Sequence, residues 1–465
     1  MADRSGAPRP GAAGRPRRNG PPVRVDPVRL AAYEAVRAVR VDQAYTNLVL
    51  PAVLRRHGLT GRDAGFVTEL VAGSIRRRAT YDAVLGACID RPLRRVEVDV
   101  VDALRLGVHQ LLAMRVPPHA ALSTTVDLVR SVSGPGAAGF ANAVLRRVSE
   151  SDLEGWWHTL GADGPGVAAL EIRHSHPAWV IRELGRAVGE SELEALLEAD
   201  NENPRVTLVA RPGRATPSEL PGEPTRWSPY GVELAGGDPA AIPAVAEGRA
   251  GVQHEGSQLV ALAAAAAPIE GPDAVWLDLC AGPGGTSALL AALADAAGAR
   301  LLASERQQHR SRLVRRNLDG AAGVLGVVTA DGVRPPVRPG SVDRVLVDAP
   351  CTGLGALRRR PEARWRRRPD DLLDLVLLQR SLLASAVEAV RPGGVVLYAT
   401  CSPVLAETSE VVSSVVAQRP DVELADLAPV LPQLTDAVGP LPGTVQLWPH
   451  RHGTDAMFLA LLRRT

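Results

Sequence analysis

The sequence contains no lysine, so its 53 strongly basic residues are all arginines, and they nearly balance 51 acidic residues to a net charge of +2. A coding bias that replaces lysine by arginine accounts for this absence. A functional account is also open, because arginine contacts phosphate through two parallel hydrogen bonds and stacks on bases.

Cysteine is scarce as well. The chain has four cysteines, Cys88, Cys280, Cys351 and Cys401, which are far apart and form no C-x-x-C pair. This spacing excludes a disulfide framework and a zinc site, so we expect no bound metal.

Long apolar runs are missing too. None of the apolar stretches is long enough to span a bilayer, and no apolar signal core follows Met1. We therefore expect a soluble, cytoplasmic protein with reduced thiols and no membrane contact. The 465 residues have 46% apolar and 22% charged residues, an ordinary globular composition that suggests about three domains.

The residue pattern predicts a multidomain chain. Residues 1–25 are rich in Arg, Gly and Pro, which predicts a disordered tail that lies in solvent or touches RNA phosphates. Apolar residues at helical spacing from 26 to 150 predict an all-α bundle. The mixed pattern of 151–250 predicts a small connecting α+β subdomain. Strands alternate with helices over 251–465, which predicts an α/β domain with a parallel, doubly wound sheet and a last strand at 457–464.

The first predicted strand of the α/β domain runs into a glycine-rich turn, 278-DLCAGPGGTS-287. Ligands bind at the carboxyl ends of such strands, and glycine lets the backbone turn sharply and approach a ligand. The next three predicted strands each end in an acid: Glu305, Asp331 and Asp348. One such acid alone is more often a cap or turn residue. Together, and with no P-loop lysine after the glycines, they indicate a nucleoside cofactor without a pyrophosphate, S-adenosylmethionine.

Two of the cysteines follow neighbouring predicted strands. Cys351 lies in 347-VDAPCTGLG-355 and Cys401 in 397-LYATCSP-403, so both thiols are expected at one cleft. A lone cysteine is usually a buried structural residue, but two beside a cofactor turn indicate catalysis. Carbon 5 of cytosine accepts a methyl group only after a thiolate has added to carbon 6, and the base must first be exposed or flipped. A second thiol can then help to eliminate the first.

At these residues the chain resembles the Sun family of RNA cytosine-C5 methyltransferases. The matching blocks are 277-LDLCAGPGG-285, 348-DAPCTGLGALRRRPEARW-365 and 399-ATCSPVLAETSEVV-412. The helical half, which ends in 140-FANAVLRR-147, is similar to the NusB-like RNA-binding domain, and with 175-SHPAWVI-181 the whole resembles the RsmB type of bacterial small-subunit rRNA methyltransferase. The resemblance implies a Rossmann-like class I methyltransferase domain, S-adenosylmethionine as cofactor, 16S rRNA as partner and no obligate protein partner.

The resemblance also implies residue roles. Cys401 is the expected nucleophile and Cys351 the residue that assists product release. The expected cofactor residues are Cys280, Ala281, Gly282, Pro283, Gly284, Gly285, Thr286, Glu305, Asp331 and Asp348. The family usually has Lys where this chain has Thr286, and often Ala at the position of Gly282. Because this lysine is missing, the resemblance leaves the affinity for the cofactor undetermined.

Two other functions are compatible with parts of the sequence. A DNA cytosine-C5 methyltransferase would use Cys351 as its nucleophile, but it would lack the Thr400-Cys401 pair. A non-catalytic RNA-binding factor with a decayed methyltransferase domain is supported by Thr286 and opposed by both thiols and the three acids. The arginine-rich segment 358–368 is expected either to contact phosphates near the target loop or to be a solvated loop.

Overall fold

The structure is a computed structural model that describes residues 25–465. The predicted tail lies outside the described residues except for Val25. No helix of the described part is long and apolar enough to cross a membrane. The predicted domain limits 26–150, 151–250 and 251–465 remain a proposal.

The first group consists of helices. They are α1 (Pro27–Val41), α2 (Thr46–His57), α3 (Gly61–Arg76), α4 (Arg78–Cys88), α5 (Val98–Leu112) and α6 (Pro118–Val148). Asp26 caps α1, where its Oδ1 accepts from the amide of Arg29 at 2.9 Å. Gly134, with φ of 87°, kinks α6. The apolar faces meet in one core that includes Leu70, Leu104 and Leu145, as the helical spacing predicts.

The middle group combines helices with a small sheet. The helices are α7 (Leu153–Thr159), α8 (Val167–His174), α9 (Ala178–Val188), α10 (Glu190–Ala199) and α11 (Pro243–Ala246). The strands are β1 (Thr207–Ala210), β2 (Glu223–Pro224), β3 (Gly231–Glu233) and β4 (Ala250–Val252). They pair antiparallel in the order β2-β3-β1-β4. This arrangement agrees with the predicted α+β character.

The last group is the α/β domain. Its helices are α12 (Glu255–Ala266), α13 (Gly285–Ala296), α14 (Gln308–Asn317), α15 (Ala363–Arg366), α16 (Pro369–Ala389), α17 (Ser409–Gln418) and α18 (Pro449–His452). Its strands are β5 (Val275–Asp278), β6 (Arg300–Glu305), β7 (Val324–Thr329), β8 (Val342–Asp348), β9 (Val390–Thr400), β10 (Val422–Ala425), β11 (Val445–Gln446) and β12 (Phe458–Arg464).

These strands form one sheet in the order β10-β12-β9-β8-β5-β6-β7, with β11 beside β12. Strands β5 to β9 are parallel, as predicted. The predicted parallel order does not extend to the last strand, because β12 runs antiparallel to both β9 and β10. A parallel neighbour needs a crossover connection, usually a helix, and between β10 and β12 the chain has only the four-residue α18 and the short β11.

From Gly394 to Thr400, strand β9 buries both of its faces. Alternate residues of β9 belong to two different cores, one with α12 and α13 and the other with α16 and α17. Leu397 faces the first core and Tyr398 the second. The register places Asp348 opposite Ala399, so β8 and β9 end side by side at the carboxyl edge of the sheet. Residues that follow these strands are therefore brought together.

The segment 358–368 joins the α/β domain to the rest of the chain. The fully buried guanidinium of Arg364 donates to the carbonyl oxygen of Ser175 at 3.1 Å and to Oδ1 of Asn201 at 2.9 Å. Trp365 donates from its indole N–H to the carbonyl oxygen of Ile75 at 2.7 Å. One segment thus contacts both of the preceding groups, and it does so with buried polar atoms.

Further bonds fix the start of α2 against the same segment. Glu362 accepts from the amide of Thr46 at 3.2 Å and from its hydroxyl at 2.7 Å. Arg366 donates to the carbonyl oxygens of Val39 and Ala44. Because most of these groups are buried, the segment holds the helical bundle against the α/β domain at a fixed place.

Candidate active site

The two predicted catalytic thiols lie in contact. Cys351 follows β8 and Cys401 follows β9, and their Sγ atoms are 3.3 Å apart. The amide of Gly355 donates to the carbonyl oxygen of Cys401 at 2.9 Å. A Cβ atom at Gly355 would overlap the carbonyl oxygen of Ala456, so this close approach requires glycine. The two thiols therefore lie together at the ends of adjacent strands, as expected.

The two thiols differ in their electrostatics. A hydrogen bond from Cys351 lowers the pKa of Cys401, although burial and the charge of Asp348 oppose this effect. The same bond, together with burial, raises the pKa of Cys351 well above its usual value. Arg360 adds positive charge that further lowers the pKa of Cys401. The geometry therefore favours a thiolate at Cys401 and a protonated thiol at Cys351.

A buried carboxylate that the sequence analysis missed joins the two thiol loops. Glu407, fully buried, accepts from the amide of Thr352 at 2.7 Å and from the hydroxyls of Thr352 and Ser402, both at 2.5 Å. Gln379 donates to the same carboxylate at 3.0 Å and to the carbonyl oxygen of Pro350 at 2.9 Å. Thr352 and Ser402 each follow one of the cysteines, so Glu407 fixes the separation of the thiols.

The glycine-rich turn lies against the end of β6. The amide of Ala281 donates to the carbonyl oxygen of Ser304 at 2.9 Å. A Cβ atom at Gly282 would overlap the carboxylate of Glu305. Gly284 has φ of 107°, and a Cβ there would come within 2.9 Å of Cα of Val314. The turn thus forms a narrow backbone cradle beside one predicted acid, as its glycines indicated.

The remaining residues of the turn pack around this cradle. The amide of Cys280 donates to Oδ1 of Asp278 at 3.3 Å, and burial raises the pKa of the Cys280 thiol well above its usual value. The carbonyl oxygen of Pro283 accepts from Asn317 at 2.9 Å. Gly285 and Thr286 begin α13, and Thr286 is partly buried.

The acids at the strand ends have unequal surroundings. Asp348 is partly buried, and its desolvation raises its pKa to about 6 despite the charges of Arg360 and Arg310. Asp331 is exposed, and its Oδ1 accepts from the amide of Val333 at 3.1 Å. Gly332, next to it, is packed so that a Cβ there would lie 3.1 Å from Cγ of Leu279. All three predicted acids therefore lie at the carboxyl edge, with Asp331 at its rim.

Two charged residues of this edge were not predicted. Asp278 ends β5, and burial raises its pKa to about 7 although Ser287 donates to it at 2.6 Å. Its place before the turn, in the block 277–285, was the available signal. Arg310 on α14 donates to the carbonyl oxygen of Gly282 and lies 3.8 Å from Glu305. It brings a positive charge to an edge where the sequence has Thr286 in place of the family's lysine.

The arginine segment corrects a prediction. Arg359 is ion-paired with the fully buried Asp455. Arg367 donates to the carbonyl oxygens of Thr352 and Cys351, at 3.1 and 3.2 Å. Together with Arg364 and Arg366, these arginines bind protein groups, so neither phosphate contact nor a solvated loop describes them. Arg358 and Arg360 differ, because neither side chain forms an ion pair or a hydrogen bond with the described residues, and Arg368 is exposed.

Within residues 25–465, one group has the composition of a metal site. His174, Glu194 and Glu198 place donor atoms within 4.8 Å of one another. Glu194, however, lies 3.3 Å from His174 and 3.7 Å from Arg173, and its side chain is 55% exposed. An ordinary surface ion pair accounts for this geometry, away from the thiols.

Comparison with known proteins identifies two matching families. Residues 265–463 match the family described as 16S rRNA methyltransferase RsmB/F, and residues 26–150 match the NusB family.

Curated relatives match along nearly the whole chain. A protein of Mycobacterium tuberculosis whose assigned name is that of a methyltransferase is 48% identical over 97% of this chain and 99% of its own. The ribosomal RNA small subunit methyltransferase B of Pseudomonas putida is 32% identical over 93% of this chain and 98% of its own.

Solved structures share the fold. The crystal structure of PH0851 matches with a TM-score of 0.77 and 23% identity, over 96% of this chain and 99% of that chain. NSun6 from Pyrococcus horikoshii with SFG matches with a TM-score of 0.51 and 16% identity, over 62% and 98%. On the strength of the full-length relatives and of both family matches, the chain belongs to the RsmB/F methyltransferase family, with a NusB-family region ahead of its methyltransferase domain.

Proposed function

We propose that the protein is an S-adenosylmethionine-dependent RNA cytosine-C5 methyltransferase that acts on small-subunit rRNA. The observation that carries this proposal is the pair of thiols 3.3 Å apart, Cys351 and Cys401, at the ends of two adjacent parallel strands. The glycine-rich turn lies at the end of β5, the strand next to β8. The rRNA substrate is supported by the name of the matched family and by that of the Pseudomonas relative.

The carboxyl edge fits the cofactor. The turn 280–286 would hold it by close backbone approach, because side chains at Gly282 and Gly284 would collide with neighbouring atoms. Glu305 and Asp331 offer acceptors for hydroxyl and amino groups. Asp348 is a third acceptor, placed between the turn and the thiols. When bound, S-adenosylmethionine supplies an electrophilic methyl group.

In the proposed reaction the Cys401 thiolate forms a bond to carbon 6 of a flipped cytosine, and the electron pair moves to carbon 5. Carbon 5 then takes the methyl group. Loss of the carbon 5 proton to solvent breaks the bond between Sγ and carbon 6 and restores the thiolate. The hydrogen bond between the two thiols lowers the pKa of Cys401 and raises that of Cys351, so Cys351 is the thiol that we expect to keep its proton. This bond stabilises the first sulfur as it leaves, which is the assistance we assign to Cys351.

Single and double alanine variants test the two roles. Cys401→Ala should abolish methyl transfer and form no covalent adduct, yet still bind the cofactor. Cys351→Ala should methylate and then stall, so that a covalent protein–RNA complex survives denaturing electrophoresis. The double variant should show none, because the adduct needs Cys401.

The alternatives make different predictions in the same assay. An adduct with Cys401→Ala and none with Cys351→Ala would give the nucleophile's role to Cys351, as in a DNA cytosine methyltransferase. Activity in both single variants without any adduct would refute covalent catalysis. Bisulfite sequencing of small-subunit rRNA, from cells with and without the gene, identifies the modified cytosine. An unchanged rRNA pattern would contradict the proposed substrate.

A further inference from the structure

Three consecutive arginines, 358 to 360, follow the Cys351 loop, and their surroundings differ. Arg359 is balanced by the ion pair with Asp455. Arg360 forms no ion pair and no side-chain hydrogen bond with any residue from 25 to 465, although its Nε is buried. A cation that is partly withdrawn from water costs free energy until an acceptor meets it. Arg358 also lacks such a partner but is buried, whereas Arg360 is only partly buried and can be met by a ligand.

Arg360 lies close enough to Cys401 and Asp348 to act on both through its charge. The loop that carries it is bonded to the nucleophile's own backbone through Gly355, and the amide of Arg360 donates to the carbonyl oxygen of Ala356 at 2.9 Å. The charge of Arg360 lowers the pKa values of both side chains. The guanidinium therefore lies near the thiol that the proposed reaction uses.

An aromatic ring of the helical bundle holds this guanidinium. Cζ of Arg360 lies 5.2 Å from the ring centroid of Tyr45, and Cζ of Arg366 lies 5.3 Å from it. Tyr45 immediately precedes α2, whose first residue, Thr46, is bonded to Glu362. Stacking on a ring orients a guanidinium and leaves its N–H edge free for a ligand. Two separate parts of the chain thus build one cationic rim.

We propose that Arg360, oriented by Tyr45, binds a backbone phosphate of the RNA at the nucleotide that enters the Cys401 cleft. A phosphodiester fits because a free guanidinium edge matches two phosphate oxygens, and a base taken out of its stack leaves its phosphates exposed. Tyr45 is a positioning residue in this scheme. The proposal rests on the proposed function, since it assumes an RNA substrate, and it gives the helical bundle a direct part in the cleft.

The salt dependence of RNA binding tests the proposal. Binding of an unmodified small-subunit rRNA transcript is measured over a range of KCl concentrations in the Cys401→Ala background, where no adduct interferes. Arg360→Gln should reduce the slope of log K against log salt by about 0.7, the value for one phosphate of single-stranded RNA. Arg338→Gln, an equal charge change in an exposed loop at the opposite edge of the sheet, should leave the slope unchanged.

Two variants of Tyr45 separate stacking from folding. Tyr45→Ala should reduce the slope in the same direction as Arg360→Gln, because the guanidinium loses its orientation. Tyr45→Phe keeps the ring and should retain the wild-type slope and KM. An unchanged slope in both Arg360→Gln and Tyr45→Ala would overturn the proposal. A loss in Tyr45→Phe equal to that in Tyr45→Ala would overturn the stacking role.

The failure of this proposal can be told from a failure of the proposed function. If the wild type does not methylate the transcript but Arg360→Gln still reduces the slope, the phosphate contact stands and the assigned reaction is wrong. If the wild type forms the Cys401 adduct and Arg360→Gln binds with an unaltered slope, the reaction stands and the phosphate contact is refuted.

Discussion

Replacement of Glu407 should separate the geometry of the thiols from their chemistry. Its carboxylate accepts four hydrogen bonds, from the amide and hydroxyl of Thr352, the hydroxyl of Ser402 and the amide of Gln379. The Tyr398 hydroxyl also donates to its carbonyl oxygen at 2.7 Å, which fixes the backbone. Removal of the carboxylate therefore takes away the acceptor of buried hydrogen-bond donors on the loops of both cysteines.

The expected cost follows from these partners. In Glu407→Ala the two hydroxyls, 3.1 Å apart, can still pair with each other. Gln379 retains its bond to Pro350, which leaves the amide of Thr352, one donor of Gln379 and one of the two hydroxyl protons without acceptors. At about 1–3 kcal/mol for each buried unsatisfied group, the loss is roughly 3–9 kcal/mol. Such a loss is a large part of the stability of a domain.

Glu407→Gln is the sharper variant. It keeps one acceptor oxygen and loses the charge-assisted bonds, so we expect a smaller loss, about 1–3 kcal/mol, and a folded protein. Because the thiol loops are no longer fixed by one carboxylate, adduct formation in the Cys351→Ala background should slow at least tenfold. The charge of Glu407 also raises the pKa of Cys351, so the glutamine should lower that pKa.

Three measurements check this prediction. Urea unfolding reports the stability, trapping on denaturing gels reports the rate of adduct formation, and alkylation against pH reports the Cys351 thiol. Glu410→Gln, on the same stretch but 51% exposed, is the matched control and should change none of them. A Glu407→Gln protein with wild-type stability and an unaltered adduct rate would refute the positioning argument.

Two further predictions concern the cofactor turn and the nucleophile. Thr286→Lys should tighten S-adenosylmethionine by roughly 1.5 kcal/mol, about tenfold, in calorimetric titration; no gain would mean that Arg310 already supplies the charge. Cys351→Ala removes the hydrogen bond that lowers the pKa of Cys401. The reaction of Cys401 with iodoacetamide should therefore rise at a higher pH than in the wild type. An unshifted pH profile would contradict the assigned effect of that bond.

The sequence predicts the residues at the carboxyl edge of the sheet well because its signals are local. Parallel strands read as continuous apolar runs, and whatever follows them lies at one edge, so Cys351, Cys401 and the glycine turn could be placed together. The antiparallel β12 was not predictable from its own residues. Its direction depends on which edge of the sheet remains open after β9, and that is a property of the whole sheet.

Glu407 was missed for a related reason. It lies six residues after Cys401, within 399-ATCSPVLAETSEVV-412. An acid just before a helix is usually interpreted as a solvated or capping residue. Its role appears only when β8 and β9 have paired and brought Thr352 to it. The Glu407 carboxylate accepts hydrogen bonds from four groups that belong to three separate stretches of the chain. A repeating pattern in the sequence cannot reveal such contacts.

The arginine-rich segment 358–368 shows most clearly that the sequence alone does not reveal contacts between distant stretches of the chain. Composition alone makes seven arginines in eleven residues look like a charged surface. A guanidinium has five donors, however, and carbonyl oxygens from distant stretches can satisfy them inside the protein, as around Arg364. A joint substitution of the segment would therefore mix lost interdomain bonds with lost RNA contacts. Arg360 is partly buried, forms no ion pair or hydrogen bond with the described residues, and can be exchanged as a cleaner test of phosphate binding.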